Sequence, residues 1–324
     1  MTGPVVGYIT WTFPGAALML SLLLVAAVAA DPHPGHRVLA ADRSTGKVAI
    51  VGRDGKVEWE FANRHDVHDL HLLPNGNLLT HTSHTTVVEI SPAKEVVWKY
   101  EAKPVAPGGK VEVHAFQRLP DGNTMVAESG NARIVEVDKS GSIVQAVPLT
   151  VNNPHPHRDT RMARKLATGG YLVCHEGDGC VREYDPAGKV VWEYALQLGD
   201  RKRAGGHGPE AYGVEVYGAI RLANGNTLIA GGNNHRVLEV TPDKKVVWSV
   251  DQKELPGITL AWVTTLHALP NGNIVIGNCH AGPDQPQLIE LTRDKQVVWS
   301  FKDWKNFGDN LAAAQVLDVP GVVR

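Results

Sequence analysis

The chain has 324 residues, 32 basic and 34 acidic side chains, a formal net charge of −2, 43% hydrophobic residues and three cysteines. That apolar content excludes a disordered polymer, the charge balance excludes a bulk nucleic-acid binder, and the cysteine count excludes a disulfide-built scaffold. The length suits one large domain or two medium ones.

Residues 1–30 contain no Asp, Glu, Lys or Arg. The stretch from Ala16 to Ala30 is apolar except for Ser21 and closes in small residues before Asp31-Pro32, the pattern of a cleaved export signal. The expectation is a boundary after residue 30 and a folded domain over 31–324 that is periplasmic or secreted. The absence of Lys or Arg ahead of the apolar run keeps open a retained membrane anchor, with the folded part still outside the cytoplasm. Membrane contact is expected only through residues 1–30, if they stay attached.

A repeat governs the rest. A five-residue turn recurs as Leu73-Pro74-Asn75-Gly76-Asn77, Leu119-Pro120-Asp121-Gly122-Asn123, Leu166-Ala167-Thr168-Gly169-Gly170, Leu222-Ala223-Asn224-Gly225-Asn226 and Leu269-Pro270-Asn271-Gly272-Asn273. Each is followed by a hydrophobic–Glu–hydrophobic run, a polar turn and then Val-Val-Trp, as at Val96-Val97-Trp98, Val190-Val191-Trp192, Val246-Val247-Trp248 and Val297-Val298-Trp299. Val57-Glu58-Trp59 is a shorter form, and Ile143-Val144-Gln145 is the copy without Trp. The Asn-Gly and Asp-Gly steps, read as turns with positive φ at both central residues, separate short alternating runs. Four such runs per unit, without helical periodicity, predict antiparallel propeller blades. In one copy the strands are predicted near 113–119, 123–128, 132–137 and 142–148. The recurring Trp is predicted to pack between neighbouring blades.

Five complete copies begin near 65, 111, 159, 214 and 261. Residues 37–62 supply three strands of a sixth. The segment Leu311–Leu317 matches the innermost strand Val113–Leu119 and is predicted to complete the first blade, closing the ring and removing a free edge. The fold class is therefore all-β: one six-bladed β-propeller of four-stranded antiparallel blades, closed by the C-terminal strand.

The turns that join strands 1–2 and 3–4 contain no histidine. The opposite face collects His65, His68, His84, His114, His155, His157, His175, His207, His235 and His280, with His81 close by, out of 15 in the chain. The long connections 149–160 and 197–213 fall there too, the second a basic lid. Eight residues before each central glycine, on the channel-lining strand, stand His68, His114, Arg161, Tyr217 and Thr264, with Ala312 at the matching place in the closing strand. This series points either to a polar, water-filled channel mouth or to an anion-binding or acid–base site. In the second case His68, His114 and Arg161 are the catalytic candidates. Tyr217, His175, His280 and His84 are the ligand-binding ones.

The spacing His65-x-x-His68-x-x-His71 also suggests metal ligation, although strand alternation sends His68 and His71 to opposite faces. One or two of these histidines joined by His84, His114 or His280 would suit zinc, copper or manganese. Cys174 and Cys180 flank a hairpin and read either as a cross-strand disulfide or as two thiols.

The segment Arg182-Glu183-Tyr184-Asp185-Pro186-Ala187-Gly188-Lys189-Val190-Val191-Trp192 resembles the repeat of PQQ-like β-propellers, in which a Gly-Lys turn precedes a docking Trp. Within that superfamily, His68-Asp69-Leu70-His71-Leu72-Leu73-Pro74-Asn75-Gly76-Asn77 is similar to a segment of the six-bladed, periplasmic bacterial arylsulfotransferases. The resemblance spans about 37–318. It implies that His68 would accept a sulfuryl group, with His114 one blade on and an arginine steadying the charge. The arginine of that family falls seven residues after a central glycine. Here those places hold Ser83, Ser129, Glu176, Gly232 and Cys279, which leaves Arg161 from a different strand. Quinoprotein dehydrogenases have eight blades and cofactor and calcium sites without counterpart here, so no bound PQQ is expected.

Three functions follow: an exported propeller binding a small anionic, polyhydroxylated or carbohydrate ligand at the His-rich mouth, with arylsulfotransferase-like group transfer as its enzymatic form; a non-catalytic scaffold that binds an envelope protein; and a lyase or hydrolase that uses histidines and a divalent metal. No resident cofactor is otherwise expected, and no nucleic-acid partner.

Overall fold

A computed structural model describes residues 35–324. The export segment predicted at 1–30 lies outside them. Each blade is a four-stranded antiparallel sheet in chain order, except the first. Blade 2 contains β4 (His71–Leu72), β5 (Leu78–His81), β6 (Thr86–Ile90) and β7 (Val96–Glu101). Blade 3 contains β8 (Glu112–Arg118), β9 (Thr124–Ser129), β10 (Arg133–Val137) and β11 (Ile143–Pro148). Blade 4 contains β12 (Ala163–Lys165), β13 (Tyr171–His175), β14 (Cys180–Tyr184) and β15 (Val190–Ala195). Blade 5 contains β16 (Gly218–Arg221), β17 (Thr227–Ala230), β18 (Val237–Val240) and β19 (Val246–Val250). Blade 6 contains β20 (Trp262–Ala268), β21 (Ile274–Cys279), β22 (Leu288–Leu291) and β23 (Val297–Phe301). In blade 1 the order is β24 (Leu311–Val316), β1 (Val38–Asp42), β2 (Lys47–Val51), β3 (Val57–Ala62). The C-terminal strand therefore does complete the first blade, with Val38 opposite Val316 and Ala40 opposite Ala314.

The turns differ from the sequence expectation. Gly76 has φ +83°, while its neighbour Asn75 keeps negative φ. The Gly76 N–H donates to Leu73 O at 2.9 Å and the Leu73 N–H to Asn77 O at 2.8 Å. This is a type I turn with a left-handed glycine behind it. Pro74 suits this turn, because its ring fixes the negative φ. The copies with Ala167 and Ala223 make the same two bonds, so the left-handed glycine is the shared requirement.

The core lies between blades. Leu79 and Val87 of blade 2 pack with Val113, Phe116, Val126 and Val135 of blade 3, and Leu172 and Val181 of blade 4 with Ile229 and Leu238 of blade 5. Polar latches hold these seams. The Trp59 indole donates to Pro92 O at 3.0 Å, Trp98 to Asp138 O at 3.2 Å, Trp192 to Pro242 O at 3.0 Å and Trp248 to Arg293 O at 2.7 Å, each time from an outer strand to a turn of the next blade. The hydrophobic–Glu–hydrophobic strand supplies a second latch. Glu89 accepts from Asn77 of its own turn at 2.6 Å and from Arg118 of the next blade at 2.6 Å. Glu136 pairs with Lys165, Glu183 with Arg221 and Glu239 with Arg293 in the same way. At the closing seam the acceptor is Glu290, 2.8 Å from His36, whose other ring nitrogen is 3.2 Å from Asp318.

Cys174 and Cys180 are thiols, as is Cys279. The hairpin register pairs Cys174 with Val181 and His175 with Cys180, so the two sulfurs leave opposite faces of the sheet and the disulfide alternative is corrected.

Two outcomes follow. Trp248→Ala should cost about 2–3 kcal/mol in urea unfolding, through lost area and the lost indole bond, whereas Gln145→Ala in the copy without Trp should stay within about 0.5 kcal/mol. For His36, burial alone would lower the pKa, but the bonds and charges of Glu290 and Asp318 outweigh it and raise it above 6.5. The latch is therefore complete below pH 6.5 and lost as pH rises through the raised value. Unfolding measured from pH 5.5 to 9 should show an alkaline loss of about 1–2 kcal/mol in the wild type that His36→Gln removes.

Candidate functional site

Three of the six equivalent positions at the channel mouth carry a bulge in the inner strand. Between Val113/Glu128 and Ala115/Ala127 the register shifts, which leaves His114 unpaired. The same happens around Thr264 between Val263 and Leu266, and at Ala312 between Ala313 and Leu311. A bulge at this point turns a side chain out of the sheet and into the channel. His68, Arg161 and Tyr217 stand just ahead of shortened inner strands. The Arg161 and Tyr217 N–H groups keep one ladder bond each, to Cys174 O at 2.8 Å and Ala230 O at 3.0 Å. In blade 2 a side chain replaces the ladder bond ahead of β4, while the Leu72 N–H, which faces away from β5, is met by the closing strand. The His68 N–H donates to His81 Nε2 at 3.0 Å and the Leu72 N–H to Gln315 Oε1 at 2.7 Å.

His68 is the centre of the mouth and remains partly accessible. Arg161 Nη1 donates to its Nε2 at 3.1 Å, and Tyr217 Oη lies 3.4 Å from its Nδ1. The His114 ring stands edge-on at 4.8 Å and that of His157 at 6.1 Å. Burial, followed by the Arg161 charge, holds the His68 pKa well below its ordinary value. The ring is therefore a neutral imidazole whose Nε2 accepts. Arg161 is itself tied to buried Glu176, with its Nε 2.5 Å from that carboxylate, so the cation is largely balanced. Burial raises the Tyr217 pKa, which keeps its hydroxyl protonated.

Beside His68 is a second group. Glu112 Oε2 lies 3.0 Å from His114 Nε2, 2.7 Å from His157 Nδ1 and 3.7 Å from His84 Nδ1. His114 Nδ1 is 2.8 Å from Thr160 O. Burial and then the Arg161 charge push the His114 pKa down to about 4, while its bonds to His157 and His114 hold Glu112 below the usual carboxylate range. Across the mouth, His207 of the 197–213 connection lies 4.5 Å from the Trp262 ring and 5.1 Å from that of His280. His280 adopts a left-handed φ of +60° and its N–H donates to Asp309 O at 2.8 Å.

The structure thus brings His68, His114, Arg161 and Tyr217 together, with His84 at the exposed rim and His280 on the far side. It does not bring His175, which is fully buried. Its Nδ1 donates to Asp159 O at 2.6 Å and its Nε2 accepts from Tyr184 at 2.8 Å, which fits a core role. Nor does His65-x-x-His68-x-x-His71 converge. His71 Nε2 points down the channel, 3.1 Å from Asp69 Oδ1 and 2.9 Å from Phe116 O. The sequence pattern placed His157 on this face without naming it a site residue, and did not mark Glu112 at all. The alternation Glu112-Val113-His114 was the available signal for Glu112.

Below His68 the channel is filled. Asp69 receives two bonds from Arg164, at 2.7 and 3.0 Å. The remaining cavity, bordered by Asp69, Arg164, Tyr217, His267 and Arg324, is about 20 Å³, room for about one water.

These features define a PQQ-like six-bladed propeller with a cluster of polar side chains at one end of its channel. A family model described as "Outer membrane protein assembly factor BamB" matches residues 44–301, and the chain belongs to this family. No curated protein sequence matches it. Among solved structures, a protein of unknown function from Bacteroides caccae is similar at 24% identity over 86% of this chain and 98% of that one, with a TM-score of 0.72. A streptogramin B lyase is similar at 12% identity over 84% of each chain, TM-score 0.55. A catalytically inactive virginiamycin B lyase from Staphylococcus aureus with quinupristin is similar at 11% over 82% of this chain and 84% of that one, TM-score 0.54. At these identities the likeness is one of fold.

Arg161→Ala should lower stability by about 3–5 kcal/mol, because it strands the Glu176 charge in the interior. Tyr217→Phe should cost under about 1 kcal/mol, since its hydroxyl makes only contacts of 3.3–3.4 Å. Chemical unfolding of both variants checks this contrast.

Proposed function

We propose that the chain is an exported propeller that binds a small anionic or polyhydroxylated molecule at the channel mouth. One observation carries the reading: Arg161, His68 and Tyr217, from three different blades, meet at 3.1–3.4 Å at the end of the channel where His68 stays partly accessible. The set offers guanidinium N–H groups, an imidazole acceptor and a phenol, a mixture suited to hydroxyls or to an oxyanion. Because Glu176 balances Arg161, the pocket favours weakly charged or sugar-like ligands over polyanions. The filled channel beneath supports a pocket rather than a conduit. The apolar, uncharged residues 1–30 support export to the periplasm or secretion.

Sulfuryl transfer is the finer form of this reading. His68 Nε2 would attack the sulfur of an aryl ester as the bond to the phenol oxygen breaks, and Arg161, displaced from the ring, would face the sulfuryl oxygens. The attacking nitrogen must be neutral, which agrees with the direction of the His68 shift.

The test is a calorimetric panel of sulfate, phosphate, 4-nitrophenyl sulfate and simple sugars against the full chain, with release of 4-nitrophenol followed in parallel. His68→Ala and Tyr217→Phe should weaken any bound member by about 10–100-fold. Binding that is equal in wild type and both variants would overturn the reading. Membership in a family described by an outer-membrane assembly factor favours a second one, a non-catalytic envelope scaffold. In that case no panel member binds, and association with an envelope protein is untouched by His68→Ala and His114→Ala.

A further inference from the structure

A neutral His114 ring cannot meet both of its contacts with a proton. Thr160 O can only accept, so the nearby Nδ1, at 2.8 Å, is where a neutral ring places its single N–H. Nε2 then presents a lone pair to Glu112 Oε2 at 3.0 Å, lone pair against lone pair. Moving the proton to Nε2 only shifts the conflict to Thr160. Meanwhile the same carboxylate oxygen receives His157 Nδ1 at 2.7 Å and has His84 Nδ1 at 3.7 Å. Two imidazole nitrogens thus lie within 3.0 Å of one carboxylate oxygen, and His84 places a third ligand-type atom nearby. A positive charge is called for there: a second proton on His114 would serve Thr160 and Glu112 alone, whereas one metal ion would serve Glu112, His114 and His157 together.

We infer that Glu112, His114 and His157 hold a divalent transition-metal ion of the zinc class at the rim of the mouth. One ligand atom from each residue lies within 4.8 Å of the other two, a spacing an ion can bridge. Two imidazole nitrogens and one carboxylate oxygen suit zinc and exclude calcium or magnesium, which take oxygen donors. The His114–Thr160 bond is the support that metal-bound histidines use to fix tautomer and ring direction. The bulge supplies the aim of His114, and the connection 149–162 carries His157 to it. The His157 side chain is 41% exposed and that of His84 54%, so the outer side is open to a water or to His84 as a further ligand. His68 is not a ligand, because Arg161 and Tyr217 occupy its ring nitrogens. The inference goes beyond the ligand reading above and does not depend on it.

The experiment uses the full chain, untagged and stripped with a chelator, titrated with Zn2+ against a chromophoric competitor and separately with Co2+ to read its visible spectrum. The wild type should bind one ion per chain. Glu112→Gln and His157→Ala, both at partly exposed positions, should each weaken binding by about 100-fold. His207→Ala, across the mouth, should leave it unchanged. Wild-type binding no tighter than that of the Glu112→Gln/His157→Ala double variant would overturn the inference. So would binding that survives either single substitution, or one that His207→Ala reduces equally. No organic ligand enters this readout, so its failure is separate from a failure of the calorimetric panel.

Discussion

Five of the six seams of this ring rely on a largely buried carboxylate where two blades meet. The seam between blades 1 and 2, with Ile50 at that position, relies on apolar packing and the Trp59 indole bond. Glu89, Glu136, Glu183 and Glu239 each receive a cation from the next blade, and Glu290 receives His36 where the ring closes. A buried carboxylate without a partner is expensive, so each glutamate makes its own blade depend on its neighbour being in place. The indole bonds from Trp59, Trp98, Trp192 and Trp248 repeat the same logic nearer the surface. A closed ring of such dependencies has no blade that can leave cheaply. That rigidity lets bulges and loops at one end carry polar side chains that contribute little to the core.

The channel divides accordingly. Its middle is structural, with Asp69 neutralised by Arg164 and flanked by His71, and with space for about one water. Its mouth is chemical. There a neutral His68, a balanced Arg161 and a protonated Tyr217 adjoin a carboxylate ringed by imidazoles. Neither group is far from the other, since the His68 and His114 rings stand 4.8 Å apart. A molecule resting on His68 would therefore sit beside whatever Glu112, His114 and His157 hold.

Much of this was legible in the residues. The repeat, its hairpins and the closing strand followed from spacing and alternation, because a strand pair with one buried face admits a single register. Counting eight residues back from each glycine found His68, His114, Arg161 and Tyr217, since the repeat carries equivalent positions to equivalent places. The misses have physical causes. Face assignment by nearness to a loop placed His175 at the mouth, but the β13–β14 register turns it inward to Asp159 and Tyr184. Glu112 was missed and His157, though placed on the right face, was not joined to the site, because a bulge and a long connection obey no period. The latch role of the repeated glutamate was also hidden, because its partners come from a different blade and from a different part of the repeat.

The one copy without Trp has a consequence for how the ring is joined. Gln145 stands in the outer strand of blade 3, so the joint between blades 3 and 4 keeps its Glu136–Lys165 clasp but lacks the indole rivet. At this joint the polar hold falls to Glu136 alone, which Lys165 and Tyr171 of blade 4 both reach. Glu112 and His114 belong to the blade on one side of the joint, while His157 and Arg161 lie on the segment that leads into the other. A ligand held by these four residues would bridge the one joint that has a glutamine in place of the tryptophan.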